Sequence, residues 1–217
     1  MYRNTFLSVM FLACCFNGSL CAQSDAQIYE RTCDAKTYPF SDPSPVATPN
    51  NSYYPYFRFD GFSMQAQEKQ WKMVVLENDY VKLTVTPEIG GKIWGAIDKV
   101  NNKEFVYTNG VVKFRDVAMR GPWTSGGIEF NFGIIGHAPT CSTPIDYLTK
   151  KNVDGSVSCH IFSYEWITRT VWNVEINLPK DKAYFTTHTT WFNQSSIDQP
   201  YYLSLIHISE PTRRTPI

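Results

Sequence analysis

An antiparallel, all-β sandwich is the fold class that the sequence predicts, and three observations carry the prediction. Val81, Leu83 and Val85 alternate with Lys82, Thr84 and Thr86, and Trp172, Val174, Ile176 and Leu178 alternate with Asn173, Glu175 and Asn177. A two-residue period puts one face of such a segment in a core and the other in water. Turn residues recur between the segments, at Asn78-Asp79, Asn101-Asn102, Asp154-Gly155 and Pro179-Lys180-Asp181. No window of a dozen residues carries a helical stripe, and many short strands with regular turns favour a sandwich connected by antiparallel meanders.

In chain order, the first element is a signal peptide over residues 1–22. Arg3 supplies the positive start, 6–16 the apolar stretch, and Ser19, Cys21 and Ala22 the small-residue region before cleavage. That stretch is too short for a membrane span, which needs roughly 20 residues, and no later segment is a better candidate. Cys14 after Phe11-Leu12-Ala13 resembles a lipoprotein signal and leaves a lipid anchor open. The expected location is therefore exported, in the periplasm or at the surface of a bacterium. Removal of the signal leaves Cys33, Cys141 and Cys159, an odd number whose pairing the spacing does not fix.

Residues 23–60 read as a proline-rich strap. Pro39, Pro43, Pro45, Pro49 and Pro55 fix φ and remove donors, while Tyr53-Tyr54-Pro55-Tyr56-Phe57 is apolar enough to pack on a domain surface. The domain itself spans 61–202, with strands expected at 72–76, 81–86, 93–98, 105–107, 128–132, 146–150, 157–166, 172–178 and 184–192. The last segment, 203–217, resembles the translation of a sequencing adapter and is expected to be a non-native tail, so that His207, Glu210, Arg213 and Arg214 carry no functional argument.

Twenty basic residues balance twenty acidic ones, which leaves no field to draw the chain onto phosphate backbones, and nucleic acid is excluded as a partner. No C-x-x-C pair is present, and His137, His160 and His188 are scattered, so neither a metal nor another cofactor is expected.

One stretch, 119–139, breaks the alternation. Five glycines and two prolines in 21 residues specify tight turns, and between them stand Arg120, Trp123, Glu129, Asn131 and His137. Sugar recognition asks for this mixture, because a pyranose offers an apolar face to an indole and a rim of hydroxyls to polar side chains. Proton transfer on a sugar needs a positioned carboxylate or imidazole. Ile128, Phe130 and Phe132 share one strand face, which puts Glu129 and Asn131 together on the other. Plainer readings stay open. Glu129 can be an ordinary surface acid, His137 a loop-structuring residue, Trp123 a core plug, and Arg120 an ion-pair partner for Glu129.

The run Asn78-Asp79-Tyr80-Val81-Lys82-Leu83-Thr84-Val85-Thr86-Pro87-Glu88-Ile89-Gly90-Gly91-Lys92-Ile93-Trp94-Gly95-Ala96 resembles a bacterial family of exported proteins, the domain of unknown function 5107. The same holds for Arg120-Gly121-Pro122-Trp123, Gly126-Gly127-Ile128-Glu129-Phe130-Asn131-Phe132-Gly133 and Gly136-His137-Ala138-Pro139. The resemblance implies an incomplete antiparallel β-sandwich of the galactose-mutarotase-like type, with a carbohydrate site on the concave face of a large sandwich. It puts Arg120, Trp123, Glu129, Asn131 and His137 in or near that site and Glu88 with Gly90-Gly91 in the turn beside it. It also implies C-terminal helical repeats missing from this chain, and a catalytic carboxylate from a later half of the sandwich that the chain does not reach.

Three functions compete at this point. The intact protein is expected to be a glycan-processing enzyme of hydrolase or epimerase type, with Glu129 and His137 catalytic and Arg120, Trp123, Asn131 and Glu88 binding substrate. Asp146 or Glu165 is the available second carboxylate. The alternative is a non-catalytic carbohydrate-binding or scaffolding module. The 217 residues alone are expected to expose unpaired sheet edges and to be inactive.

Overall fold

The computed structural model describes residues 24–47, 49, 54–117, 121–133, 137–138 and 140–200, and the backbone of 203–207. The signal segment with its cysteines, Arg120, Tyr53 and the tail beyond 207 lie outside the described residues. No described residue is helical, and none of the described segments forms a helix long and apolar enough to cross a membrane. The strands are β1 (Gln27–Tyr38), β2 (Gln67–Glu77), β3 (Val81–Thr86), β4 (Lys92–Asp98), β5 (Lys103–Val106), β6 (Val112–Lys113) and β7 (Arg115–Asp116). They continue as β8 (Pro122–Trp123), β9 (Ile128–Phe132), β10 (Asp146–Lys151), β11 (Val157–Glu165), β12 (Thr170–Leu178), β13 (Thr186–Asn193) and β14 (Leu203–His207).

The all-β prediction holds. Eight strands form one sheet in the order β14-β9-β4-β3-β2-β1-β6, with β5 also on β4, and β10-β11-β12-β13 form a second; β7 and β8 make a small ribbon. All described pairings are antiparallel except the short β1–β6 contact.

The core between the sheets follows from the alternation. Val74, Leu76, Leu83, Val85, Phe130 and Phe132 of the large sheet meet Cys159, Ile161, Trp172, Val174, Ile176 and Leu178 of the small one. Phe132 stacks on Trp172 with centroids 4.3 Å apart and planes 10° from parallel, so an aromatic pair joins the two layers. A second cluster occupies the other face of the large sheet: Trp71, Met73, Ile89, Trp94, Val112 and Phe114, with Phe40 of the strap packed on it. Strand β2 is therefore covered on both faces, which is why Met73 to Leu76 reads as an unbroken apolar run.

Two connections fix the geometry. Asn78, buried in the β2–β3 turn, accepts the N–H groups of Tyr80 and Val81 through Oδ1 and donates through Nδ2 to the carbonyls of Pro179 and Lys182. One amide thus ties a hairpin of the large sheet to the β12–β13 turn of the small one. The aromatic end of the strap also lies on the domain: Phe57 sits edge-on to Phe40, 5.7 Å away, and a Cβ on Gly121, whose φ is +98°, would press on the Phe57 ring.

Residues 27–38, grouped with the strap by sequence, are instead a twelve-residue strand paired with β2 along nearly its whole length. It contains no proline, and its inward residues Cys33, Ala35 and Thr37 are small and partly polar, so no apolar alternation announces it. Thr37 accepts the Trp71 indole N–H at 2.9 Å, the bond that seats this strand over the second cluster. At the other border, 203–207 pairs antiparallel with β9 and covers its edge.

Cys33, Cys141 and Cys159 are free thiols. Burial, reinforced by the charge of Glu129 for Cys141 and of Glu30 for Cys159, pushes both buried thiols up to about 12. Only the thiolate alkylates readily, and a raised value empties that form at any lower pH. Iodoacetamide at pH 8 followed by peptide mapping is expected to label Cys33 in the folded protein and to reach Cys141 and Cys159 only after unfolding; labelling of Cys141 in the folded protein would contradict this placement.

Candidate functional site

Strand β9 turns Ile128, Phe130 and Phe132 to the sandwich core, and the two-residue period delivers Glu129 and Asn131 to the opposite face, as the sequence predicts. That face is not solvated. Glu129 is 2% and Asn131 0% exposed, because the segment after β9 folds back over them. The side-chain Oδ1 of Asn131 accepts the Ala138 N–H at 2.7 Å, which fastens the returning chain. His137, held at φ +57°, then brings Nδ1 to 2.8 Å from Glu129 Oε1. A carboxylate only accepts, so Nδ1 carries the proton and donates.

The other carboxylate oxygen faces Lys92, the first residue of β4. Its Nζ lies 3.4 Å from Glu129 Oε2, and both side chains are almost wholly buried. The ammonium also donates to the Thr124 carbonyl at 2.6 Å and to Thr124 Oγ1 at 3.1 Å. Burial lowers the Lys92 ammonium from its usual range, and the charge of Glu129 opposes that shift. Thr124 can reach the lysine because Gly127, at φ +70°, lets the loop pass against the Ile93 carbonyl, where any Cβ would collide.

Trp123 closes the group. Its ring stands edge-on to the His137 imidazole, with centroids 5.9 Å apart, and Lys92 Nζ is 5.9 Å from its centroid. Among the described residues, Trp123 Nε1, Asn131 Nδ2 and Glu129 Oε2 are buried with no hydrogen-bond partner. Glu129 Oε2 is still compensated by the Lys92 ammonium, whereas an unsatisfied buried group such as Trp123 Nε1 or Asn131 Nδ2 costs about 1–3 kcal/mol and calls for a partner. His137 retains 26% side-chain exposure, so it is the titratable member of the cluster that solvent reaches.

The sequence-derived candidates separate accordingly. Glu129, Asn131, Trp123 and His137 come together, whereas Arg120 lies outside the described residues. Glu88 stands apart from them: its carboxylate accepts the Lys72 N–H at 2.6 Å and anchors the β3–β4 turn to β2. The two possible second carboxylates are also elsewhere. Asp146 is exposed at the start of β10, and Glu165 is committed to the N–H groups of Ile167 and Thr168 and the Thr168 hydroxyl. Sequence reasoning missed Lys92. The available signal was a lysine inside the otherwise apolar run Ile89 to Ala96, where a charge must find a partner. No group of three metal-binding side chains occurs among the described residues.

The chain matches the family described as Domain of unknown function (DUF5107) over residues 48–208, more than half its length, and it belongs to that family. It is also similar to the crystal structure of a TPR-domain containing protein from Parabacteroides distasonis, at 26% identity and a TM-score of 0.69. The similarity covers 78% of this chain and 29% of that protein, so this chain spans less than a third of the relative it matches.

Removing one partner of a buried ion pair typically costs about 3–5 kcal/mol, because the survivor is left uncompensated. Urea unfolding is expected to show that loss for Lys92→Met. Lys92→Met combined with Glu129→Gln should lose less than the sum of the two single variants. Additive losses would mean that the two groups are not coupled.

Proposed function

We propose that this domain acts on carbohydrate, as the proton-transferring part of an epimerase-type site in a longer glycan-processing protein. The observation that carries the reading is the 2.8 Å contact between His137 Nδ1 and Glu129 Oε1, made at a partly exposed imidazole backed by a buried carboxylate. Because Glu129 occupies Nδ1–H, the lone pair of the neutral ring is on Nε2, the form a general base requires. Glu129 is then a positioning residue rather than the acid or base itself. Its ion pair with Lys92 keeps a charge behind the ring that stabilises the imidazolium once a proton arrives.

Trp123 supports the sugar reading, since an indole beside the imidazole offers an apolar surface to a pyranose face. The hydrolase version has less support. Paired carboxylates should stand about 5–9.5 Å apart, and among the described residues neither Asp146 nor Glu165 joins Glu129. Among the described residues no carboxylate other than Glu129 is paired with His137, so the second acid–base group of an epimerase is still to be located.

The test is anomer exchange of reducing sugars, followed by NMR saturation transfer with the full-length protein. His137→Ala is expected to lower the rate by roughly 10²–10⁴-fold. Glu129→Gln should also slow it while leaving KM nearly unchanged. Saturable calorimetric binding of sugars without any exchange would replace this reading with a non-catalytic binding module; neither exchange nor binding would remove carbohydrate altogether.

A further inference from the structure

The turn between β11 and β12 presents a large aromatic side chain to solvent on a rigid support. Trp166 is 61% exposed. The turn beneath it is not loose: the buried carboxylate of Glu165 accepts the N–H groups of Ile167 and Thr168 and the Thr168 hydroxyl, and Thr168 is linked onward to Thr170 at 2.8 Å. Arg169 closes the turn at φ +57°. A buried acid has thus been committed to fixing the backbone under an exposed indole.

Trp166 is also not alone. Tyr164 packs edge-on against it, with centroids 4.9 Å apart, and Tyr54 from the strap lies 5.7 Å away on a tilted plane. Tyr164, alone of these rings, also lines a cleft of about 700 Å³, within the roughly 300–1,000 Å³ of small-molecule sites; Trp166 and Tyr54 stand outside its lining. Its walls include Tyr164, Arg169, Gln194, Ser195 and Gln199. The wall formed by 194–199 is braced by its own bonds, with Asn193 donating to the Ile197 carbonyl and Gln199 donating to Ser195 Oγ.

We propose that Trp166, Tyr164 and Tyr54 form the platform of a second saccharide-binding site, which Tyr164 joins to the cleft where Arg169, Gln194 and Gln199 form a polar wall. The chemistry favours a glycan over an apolar partner. Rigid exposed rings offer stacking area at low entropic cost, while two primary amides, a hydroxyl and a guanidinium match the donors and acceptors of sugar hydroxyls. None of the side chains named for this wall is acidic, which also suits a glycan carrying carboxylates. The proposal does not depend on His137 or Glu129, and its failure would leave the reading of that cluster untouched.

Affinity electrophoresis of the full chain through gels containing laminarin, xylan, mannan or pectin tests it, with tryptophan fluorescence titration for the constant. At least one polymer should retard the wild type. Trp166→Ala should weaken binding about thirtyfold, as truncation of an aromatic anchor does, and Gln199→Ala by less. Because Trp166 is exposed, the thermal midpoint of Trp166→Ala should stay within a few degrees of the wild type, which separates lost binding from lost folding. Unchanged retardation of Trp166→Ala, or no retardation of the wild type by any polymer, would overturn the proposal. So would a sedimentation result in which the substitution dissolves a dimer without affecting glycan binding, since the patch would then be a protein interface.

Discussion

Burying an ammonium and a carboxylate side by side costs several kcal/mol per ion before their attraction is counted, so a sheet that does so needs a specific environment around them. Lys92 and Glu129 have one. Two bonds to Thr124 complete the ammonium's shell, and the imidazole of His137 takes the outer carboxylate oxygen. The glycine-framed loop, the register of β9 beside β4 and the return of the chain through Ala138 are all conditions for that arrangement. Remove the pair, and the reason for the loop's path goes with it.

The same constraint connects the two faces of the large sheet. Its inner face is an ordinary aliphatic and aromatic core that holds the small sheet, with Phe132 against Trp172. Its outer face carries a second apolar cluster around Trp71 and Trp94 under the strap, and beside it the charged group. Strand β9 serves both sides at once: Phe130 and Phe132 secure the sandwich while Glu129 and Asn131 hold the returning loop. The cross-sheet amide of Asn78 then limits how far the two layers can slide. A polar site built on such a strand is positioned by packing on its far side, which gives more rigidity than a loop could supply.

Where one side of a segment is apolar and the other polar, the sequence was a good guide. Strand β12 alternates residue by residue between buried and partly exposed positions, as its pattern says, and the shared face of Glu129 and Asn131 followed from Ile128, Phe130 and Phe132. It was a poor guide where burial is achieved by polar means. Strand β1 hides Thr37 and half-hides Cys33 among charged neighbours, so nothing in its pattern separates it from a linker. Lys92 is invisible to any rule that assigns lysine to the surface. Glu88 and Glu165 look like candidate acids in a sequence and turn out to hold backbone N–H groups, a role that depends on partners far along the chain or on turn geometry.

Glu129 holds the His137 ring by its Nδ1–H, which leaves Nε2 to exchange protons. Long-range ¹⁵N–¹H correlation of the histidine rings, at a pH where His137 is neutral, reports which nitrogen bears the proton. The wild type should show the Nδ1–H tautomer, and the population should shift toward Nε2–H when Glu129 is replaced by leucine. A wild-type ring already protonated at Nε2, unaffected by that replacement, would contradict that contact.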